Sequence, residues 1–252
     1  MVSLRTDHAS RYNFYRYCIL GNTTSTIKEV SDILIGLHSA RLISPYASLI
    51  SRIEGLRTES LYNDVVSNGN LIKLRCMRKT LHTVPLELAS IVHNATLKYR
   101  IAEIDSYYRR FFHSVGQIRK IKEKLLSVLA GDHLPVNAIT KKLSSHYDSG
   151  LVKMVLKELW ERGTICYINE SDDWQKEKRK YALTKVFYPG LDLHSLDERS
   201  AQKLLINKYI DNYGPVTLRD ICWWSALPVG RVTQINKEGP DRVAQVRMTG
   251  FE

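Results

Sequence analysis

Hydrophobic residues recur at helical spacing in the middle of the chain. In residues 117–129, isoleucine, leucine and valine side chains stand three or four positions apart, and Gly131 follows them. Residues 136–143 and 150–162 show the same spacing, and Gly163 ends the last of the three segments. Because residues three or four apart share one face of a helix, this pattern predicts three amphipathic helices in succession.

Two short apolar segments follow the three predicted helices. We predict strands over residues 164–168 and 181–187, joined by a polar and charged loop. The order helix, helix, helix, strand, loop, strand is that of a winged helix. In helix-turn-helix proteins the last helix enters the major groove of DNA, and we expect the following hairpin to contact the DNA backbone or the minor groove.

The same order of elements is predicted before and after this middle unit. Before it, we predict helices over residues 27–37, 45–53 and 58–66 and a hairpin over residues 71–84. After it, Thr217 and Asp220 have the spacing of a capping box, which predicts the start of a helix. The alternation in residues 244–248 then supports at most one strand. The chain is therefore predicted to be mainly α with small β-hairpin wings, built from tandem winged-helix units at residues 1–95, 96–190 and 191–252, the last incomplete.

The predicted first hairpin, over residues 71–85, is rich in basic side chains and contains no acidic residue. Basic and apolar residues alternate along it, which is typical of a half-buried strand with one cationic face. We expect an acidic partner to lie against that face. The residues that we assign to a DNA contact here are Lys73, Arg75, Arg78, Lys79 and His82.

The composition also indicates a polyanionic partner. The formal net charge is +11 over 252 residues, which favours nucleic acid ahead of an anionic membrane, although many basic proteins bind neither. In the middle unit we assign DNA contacts to the third helix and to the loop of the hairpin, at Lys153, Lys157, Lys176, Lys178, Arg179 and Lys180. Two alternatives stay open: a solvated charged face, and a winged helix that binds another protein.

Several functional classes lack their signatures in the sequence. The four cysteines are scattered without zinc-binding spacing, and no glycine-rich phosphate loop or close histidine–glutamate motif occurs. We therefore expect no metal and no nucleotide cofactor. No apolar run reaches the length of a signal peptide or a membrane span. We expect a cytoplasmic, nucleoid-associated protein whose partner is duplex DNA, intact or alkylated, and not a membrane.

Three sequence strings resemble a known family. They are MRKTLHTVP at residues 77–85, IGLHSA at residues 35–40 and DICWWSALP at residues 220–228. In this order they resemble the AlkZ-like winged-helix family of bacterial DNA glycosylases, which includes the YcaQ type, over roughly residues 10–235. The resemblance implies tandem winged helices around a cationic channel, and hydrolysis of the N-glycosidic bond of alkylated purines during DNA repair. It also implies a longer architecture than this chain contains.

The family resemblance places the catalytic motif directly after Leu37. Active members carry Gln-x-Gln or Gln-x-Asp there, whereas this chain has His38, Ser39 and Ala40. The resemblance also assigns Arg78, Thr80 and His82 to the wall of the channel. His38 is the one catalytic candidate, either as a water-holding base or as a loop histidine without a catalytic role.

Two classes of function therefore remain. The first is a DNA-binding protein of glycosylase ancestry, active or inactive, and the second is a non-catalytic winged-helix regulator or protein-interaction module. For Trp223 and Trp224 we expect core packing, because large aromatic side chains mostly fill cores and interfaces.

Overall fold

The computed structural model describes residues 2–16, 26–67, 69–111, 114–171, 173, 175–237 and 246–249. Residues 244 and 245 of the last predicted strand lie outside this part of the chain. One turn of π-helix, Asn63–Ser67, extends the last helix of the first unit. The elements of the first part are β1 (Val2–Arg5), α1 (Thr6–Arg16), α2 (Ile27–Ile33), β2 (Leu37–His38), α3 (Ile43–Ile50), α4 (Thr58–Tyr62), β3 (Leu71–Arg75) and β4 (Leu81–Pro85).

The first predicted helix ends earlier than expected. Helix α2 stops at Ile33, and the next turn contains Ile35 and Gly36 with positive φ angles of 52° and 99°. A helix cannot continue through that conformation. A Cβ atom on Gly36 would lie 2.6 Å from Cγ1 of Val84, so only glycine lets the chain come this close to β4. The prediction of a helix to residue 37 is therefore wrong, and the chain forms β2 instead.

The predicted hairpin is present and forms part of a three-stranded antiparallel sheet in the order β2, β4, β3. His38 lies opposite His82, and Lys73 lies opposite Thr83. One face of the sheet joins a core in which Ile72 and Val84 are fully buried, and the other face packs on α2, α3 and α4. The hairpin therefore lies inside the protein for most of its length, and its tip alone is near the surface.

A long helix that the hydrophobic pattern does not predict follows the hairpin. Helix α5 (Leu86–Arg110) has 25 residues and crosses the protein behind the sheet. Its buried face includes His93, Thr96 and Arg100 as well as apolar side chains. Polar residues interrupt the apolar stripe, which explains why the sequence gives a weak helical signal here.

The middle unit has the predicted order of elements. A single bridge between Leu134 and Tyr181 adds a third strand position to its hairpin. The strand predicted over residues 181–187 is too long, because Thr184 begins a helical turn. After this turn Tyr188 is buried in the core that contains Ile72 and Val84, and its hydroxyl donates to the carbonyl of Leu71. The elements are α6 (Val115–Leu129), α7 (Val136–Leu143), α8 (Ser149–Glu161), β5 (Ile165–Asn169), β6 (Arg179–Leu183) and α9 (Thr184–Phe187).

The last part contains three helices and one strand. The elements are α10 (Glu198–Tyr213), α11 (Leu218–Ser225), α12 (Val229–Lys237) and β7 (Val246–Thr249), and β7 pairs in parallel with β1. The predicted capping box between Thr217 and Asp220 is confirmed. Helix α10 packs along α5, and the side chain of Lys208 forms an ion pair of 2.8 Å with Asp32 of α2. The third unit is thus joined to the first.

The described helices include none with the length and apolar character of a membrane span. The same residues contain no cluster of three or more potential metal ligands.

Candidate functional site

His38 lies at an edge of the three-stranded sheet, next to His82. The two imidazole rings meet edge to face with their centres 5.5 Å apart. His38 and Ala40 are exposed, whereas Ser39 between them is buried with its hydroxyl 2.8 Å from the hydroxyl of Thr83. Strand β2 ends at His38, and the chain bends at Ala40, so both exposed residues lie at the edge of the sheet.

His82 is a buried and neutral histidine. Loss of hydration lowers its pKa to about 4, a hydrogen bond to the Thr80 carbonyl opposes this effect, and the neighbouring His38 adds to it. Nδ1 lies 3.2 Å from that carbonyl oxygen, so Nδ1 carries the proton and Nε2 keeps a lone pair. His82 packs edge to face with the ring of His38, but it is buried and offers DNA little surface, so we leave it out of the proposed DNA contacts.

The tip of the hairpin has strained backbone and carries an exposed cation. Arg78 and Lys79 have positive φ angles of 53° and 57°. The guanidinium carbon of Arg78 lies 3.9 Å from the ring centre of Trp223, which is 64% exposed. Lys79 forms an ion pair of 2.5 Å with Glu103. The expectation of core packing for Trp223 is therefore wrong, whereas Trp224 stacks on Tyr209 as expected.

The other two cations of the hairpin are enclosed by protein. Nη1 of Arg75 lies 2.6 Å from a carboxylate oxygen of Glu161, and its Nε donates to the carbonyl of Lys79. Nζ of Lys73 lies 4.6 Å from the ring centre of Tyr167 and 3.4 Å from its hydroxyl. The acidic partner expected for the cationic face is thus supplied in part by the protein itself. We leave Lys73 and Arg75 out of the proposed DNA surface.

The face of the sheet that carries Lys73 borders a pocket. Tyr46 and Tyr62 of the first unit and Tyr167 and Ser171 of the middle unit line it, together with Lys73. The hydroxyl of Ser171 is buried and has no hydrogen-bond partner among the described residues. Since Lys73 and His38 occupy opposite faces of the sheet, this pocket and the open side beside His38 are separate places.

The basic residues assigned to the third helix of the middle unit differ in their surroundings. Lys153 is exposed on α8. Lys157 is half-buried, and its Nζ lies 3.7 Å from a carboxylate oxygen of Glu103. Of these two lysines, only Lys153 is therefore exposed to solvent.

The cations of the second hairpin are interleaved with acids. Lys176 pairs with Asp173 at 2.9 Å and Lys180 with Glu170 at 2.6 Å. Arg179 pairs with Glu177 at 3.0 Å and lies over the ring of Tyr167. Lys178 is exposed. The loop thus presents Lys176 and Lys178 to solvent, while Arg179 and Lys180 hold the base of the hairpin together.

Comparison with known proteins identifies the family and the fold of the chain. A sequence model of the family described as DNA glycosylase AlkZ-like matches residues 33–251. The chain belongs to the AlkZ-like family. The family resemblance of the three strings is thereby confirmed, although the match begins at residue 33 and not near residue 10, and it extends beyond the expected limit of residue 235. No curated protein matches the sequence.

The fold is also that of a solved AlkZ-like structure. The chain superposes on the Streptomyces sahachiroi DNA glycosylase AlkZ with a TM-score of 0.78 and 18% sequence identity, covering 97% of this chain and 68% of that one. At this identity the likeness establishes the fold. The chain is mainly helical with small antiparallel sheets, as predicted, and it shares the fold of the AlkZ structure.

A buried ion-pair network in this AlkZ-like chain has no signal in the sequence. Nη1 of Arg100 on α5 lies 2.5 Å from a carboxylate oxygen of Glu161 on α8, and both side chains are at most 1% exposed. The other Glu161 oxygen binds Arg75. Nη2 of Arg100 lies 3.3 Å from Nδ1 of His93. Burial and the neighbouring guanidinium together lower the pKa of His93 to about 2. The network fixes the hairpin and α8 to the same central helix.

Replacing Lys73 with methionine is expected to stabilise the protein. Burial lowers the pKa of Lys73 from 10.5 to about 8, so below pH 8 the folded chain carries the full cost of a poorly hydrated charge. Between about pH 8 and 10.5 the unfolded chain binds more protons, and the cost disappears as pH rises. We expect Tm at pH 7 to rise by about 2–4 °C, which is about 1 kcal/mol for this length.

The gain from Lys73→Met should shrink when Tm is measured above pH 8. DNA affinity should not change, because this side chain is enclosed. Lys153→Met, on an exposed lysine, is the matched control, and its effect on stability should stay within about 0.5 kcal/mol. A lower Tm for Lys73→Met at every pH would contradict the account of the site.

Proposed function

We propose that this chain is a duplex-DNA-binding member of the AlkZ-like family whose excision of N7-alkylated purines is slow or lost. One observation carries the proposal. His38 and Ala40 are both exposed at the edge of the sheet, at the positions where active members carry the two side chains that hold and activate water. At these two positions the chain has an imidazole and a methyl group, and it lacks the amide and carboxylate groups of the active motif.

The reaction itself demands little from the protein. An N7-alkylated purine carries a positive charge and is a good leaving group, so an enzyme mainly stabilises an oxocarbenium-like sugar and places a water molecule beside it. His38 could accept a proton from that water, but it brings no negative charge to the sugar. The methyl group of Ala40 forms no hydrogen bond that would fix the water. The loss of one such catalytic group typically costs about 10²–10⁴ in rate.

The proposed DNA surface combines cations from two units. Arg78 contributes from the tip of the first hairpin, Lys153 from α8, and Lys176 and Lys178 from the second hairpin; all four are exposed. Side chains of this kind contact phosphates, which carry no sequence information. We therefore propose binding with little sequence preference.

Affinity for duplex DNA is expected to depend strongly on salt. If each of these four cations neutralises one phosphate, log K should fall with log salt concentration with a slope of roughly −3 to −4. Fluorescence anisotropy with intact and methylated duplexes at several salt concentrations measures this slope. An affinity that does not change with salt would rule out the proposed surface.

Removing two lysines from the second hairpin is expected to weaken binding equally for all duplex sequences. Lys176→Ala with Lys178→Ala should reduce the magnitude of the salt slope by about 2, because each phosphate contact contributes about 0.9. Lys120→Ala with Lys124→Ala, on the exposed side of α6, removes the same charge from a helix outside the proposed surface. Equal losses in the two double variants would show that net charge, and not this hairpin, determines the affinity.

A further inference from the structure

The tip of the first hairpin and α11 together present an aromatic ring between two cations. Trp223 is 64% exposed, whereas the adjacent Trp224 packs on Tyr209 with ring centres 4.4 Å apart. Arg219 stands four residues before Trp223 and is exposed on the same face of α11. Arg78 covers part of the indole from the hairpin side. A large aromatic side chain left in water beside two cations is typical of a contact surface for an aromatic anion.

The backbone holds Arg78 in place at the tip. Its φ and ψ angles of 53° and 24° are those of a left-handed residue, which costs free energy for any side chain other than glycine. Three hydrogen bonds maintain this conformation: Cys76 N to Thr80 O, Lys79 N to Cys76 O, and Thr80 N to Met77 O. Strain that the surrounding structure maintains is frequent at ligand-binding sites.

The guanidinium of Arg78 keeps its hydrogen-bond donors available. Within the described part of the chain, no carboxylate forms an ion pair with Arg78. The guanidinium of Arg78 packs against the face of the Trp223 ring. Stacking uses the face of a guanidinium and leaves its in-plane N–H groups free to bind a phosphate. The pair therefore offers one flat aromatic surface and one anion-binding edge.

The hairpin tip and α11 are fixed to each other close to the motif. The hydroxyl of Tyr99 donates to the carbonyl of Cys76 at 3.1 Å and lies 3.3 Å from the carbonyl of Ser225 at the end of α11. From the same tip, β4 leads to His82 beside His38. Arg78 thus lies at the tip of the hairpin whose strand β4 pairs with β2, the strand that carries His38.

We propose that Trp223 and Arg78 form a wedge in duplex DNA, with the indole stacked on a base next to the site of damage and the guanidinium bound to the adjacent phosphate. This inference rests on the proposed function, since it requires DNA to be the partner. Proteins that kink DNA insert apolar side chains between base steps, and every base offers a face on which an aromatic ring can stack. Two flanking arginines and the net charge of +11 disfavour a second copy of this chain as the occupant.

The test uses the full chain and a duplex that contains the base analogue 2-aminopurine, whose fluorescence rises when it unstacks. The parent should raise this fluorescence on binding. Trp223→Ala should abolish the rise and weaken binding by about 10-fold, while Trp223→Phe, which keeps a flat ring, should retain most of both. Arg78→Lys keeps the charge and loses the planar stack, so it should retain affinity better than Arg78→Ala and show a smaller fluorescence rise than the parent.

The matched control is Leu204→Ala, which removes an apolar side chain that is 44% exposed on α10 and should leave both signals unchanged. If the parent binds with the expected salt slope and Trp223→Ala keeps both fluorescence and affinity, the wedge is overturned while the proposed function stands. If the parent does not bind DNA, both fail. The oligomeric state is measured in solution without DNA. If the parent forms an oligomer and Trp223→Ala is a smaller species, this face is a contact between copies and the wedge is overturned.

Discussion

Replacing His38 with glutamine and Ala40 with aspartate is expected to raise the rate of 7-methylguanine excision by about 10²- to 10⁴-fold. The double variant restores the Gln-x-Asp form of the family motif. Both positions are exposed, so the new side chains need no space in the core. The carboxylate would stabilise the developing positive charge on the sugar, and together with the amide it would hold the attacking water.

The measurement is single-turnover release of 7-methylguanine from a methylated duplex, with protein in excess. The matched control is His38→Gln with Ala40→Asn, which provides hydrogen bonds without the negative charge and should gain less. DNA affinity should stay close to that of the parent in both variants. No gain by the double variant on DNA that it binds would show that residues outside positions 38 and 40 limit the reaction.

Removing the carboxylate of Glu161 is expected to destabilise the protein by about 3–5 kcal/mol. Its two oxygens bind Arg100 at 2.5 Å and Arg75 at 2.6 Å, and the side chain is fully buried. In Glu161→Ala the charge of Arg100 would stay in the interior without a partner. At about 2–4 °C per kcal/mol for a chain of this length, Tm should fall by roughly 10 °C.

The control for Glu161 is an ion pair at the surface. Glu87 pairs with Lys28 at 2.5 Å, and both side chains are more than half exposed, so Glu87→Ala should cost no more than about 1 kcal/mol. A second variant, Arg100→Met with Glu161→Leu, removes the two fully buried charges and should restore part of the stability, because only Arg75, which is 21% exposed, then lacks its carboxylate partner. Denaturant midpoints give the comparison. Equal losses for Glu161→Ala and Glu87→Ala would show that the buried network does not support the fold.

The sequence predicts the helices and hairpins whose apolar faces are continuous. Helix α7 has the predicted bounds, and the first hairpin and the helices of the middle unit lie where the hydrophobic spacing places them. These segments each bury one apolar face, so a local pattern is enough to identify them. The capping box at Thr217 is equally local.

Elements that depend on distant partners are not predictable in this way. Helix α5 buries His93 and Arg100, and the charge of Arg100 is paired with the carboxylate of Glu161, which lies 61 residues further along the chain. The early end of α2 depends on the close approach of Gly36 to β4. Neither fact can be deduced from the residues near it.

The residues of the candidate site also divide into those that a local pattern predicts and those whose surroundings depend on distant partners. His38 and Arg78 are exposed, whereas His82 is buried, and the assignment of these residues to a channel wall stays a prediction. The enclosure of Lys73 and Arg75 depends on Tyr167 and Glu161 in another unit. Trp223 and Trp224 are adjacent in sequence and differ only in which face of α11 they occupy, so composition cannot show that one is packed and the other exposed.

The most direct test is the amount of 7-methylguanine that the unaltered chain releases from a methylated duplex while the bound fraction is recorded in the same sample. The account predicts nearly complete binding at low salt, with base release close to the spontaneous rate of the same DNA without protein. Rapid release by the unaltered chain would contradict it, because the water would then be activated without the motif. A failure of the unaltered chain to bind the duplex would also contradict the account.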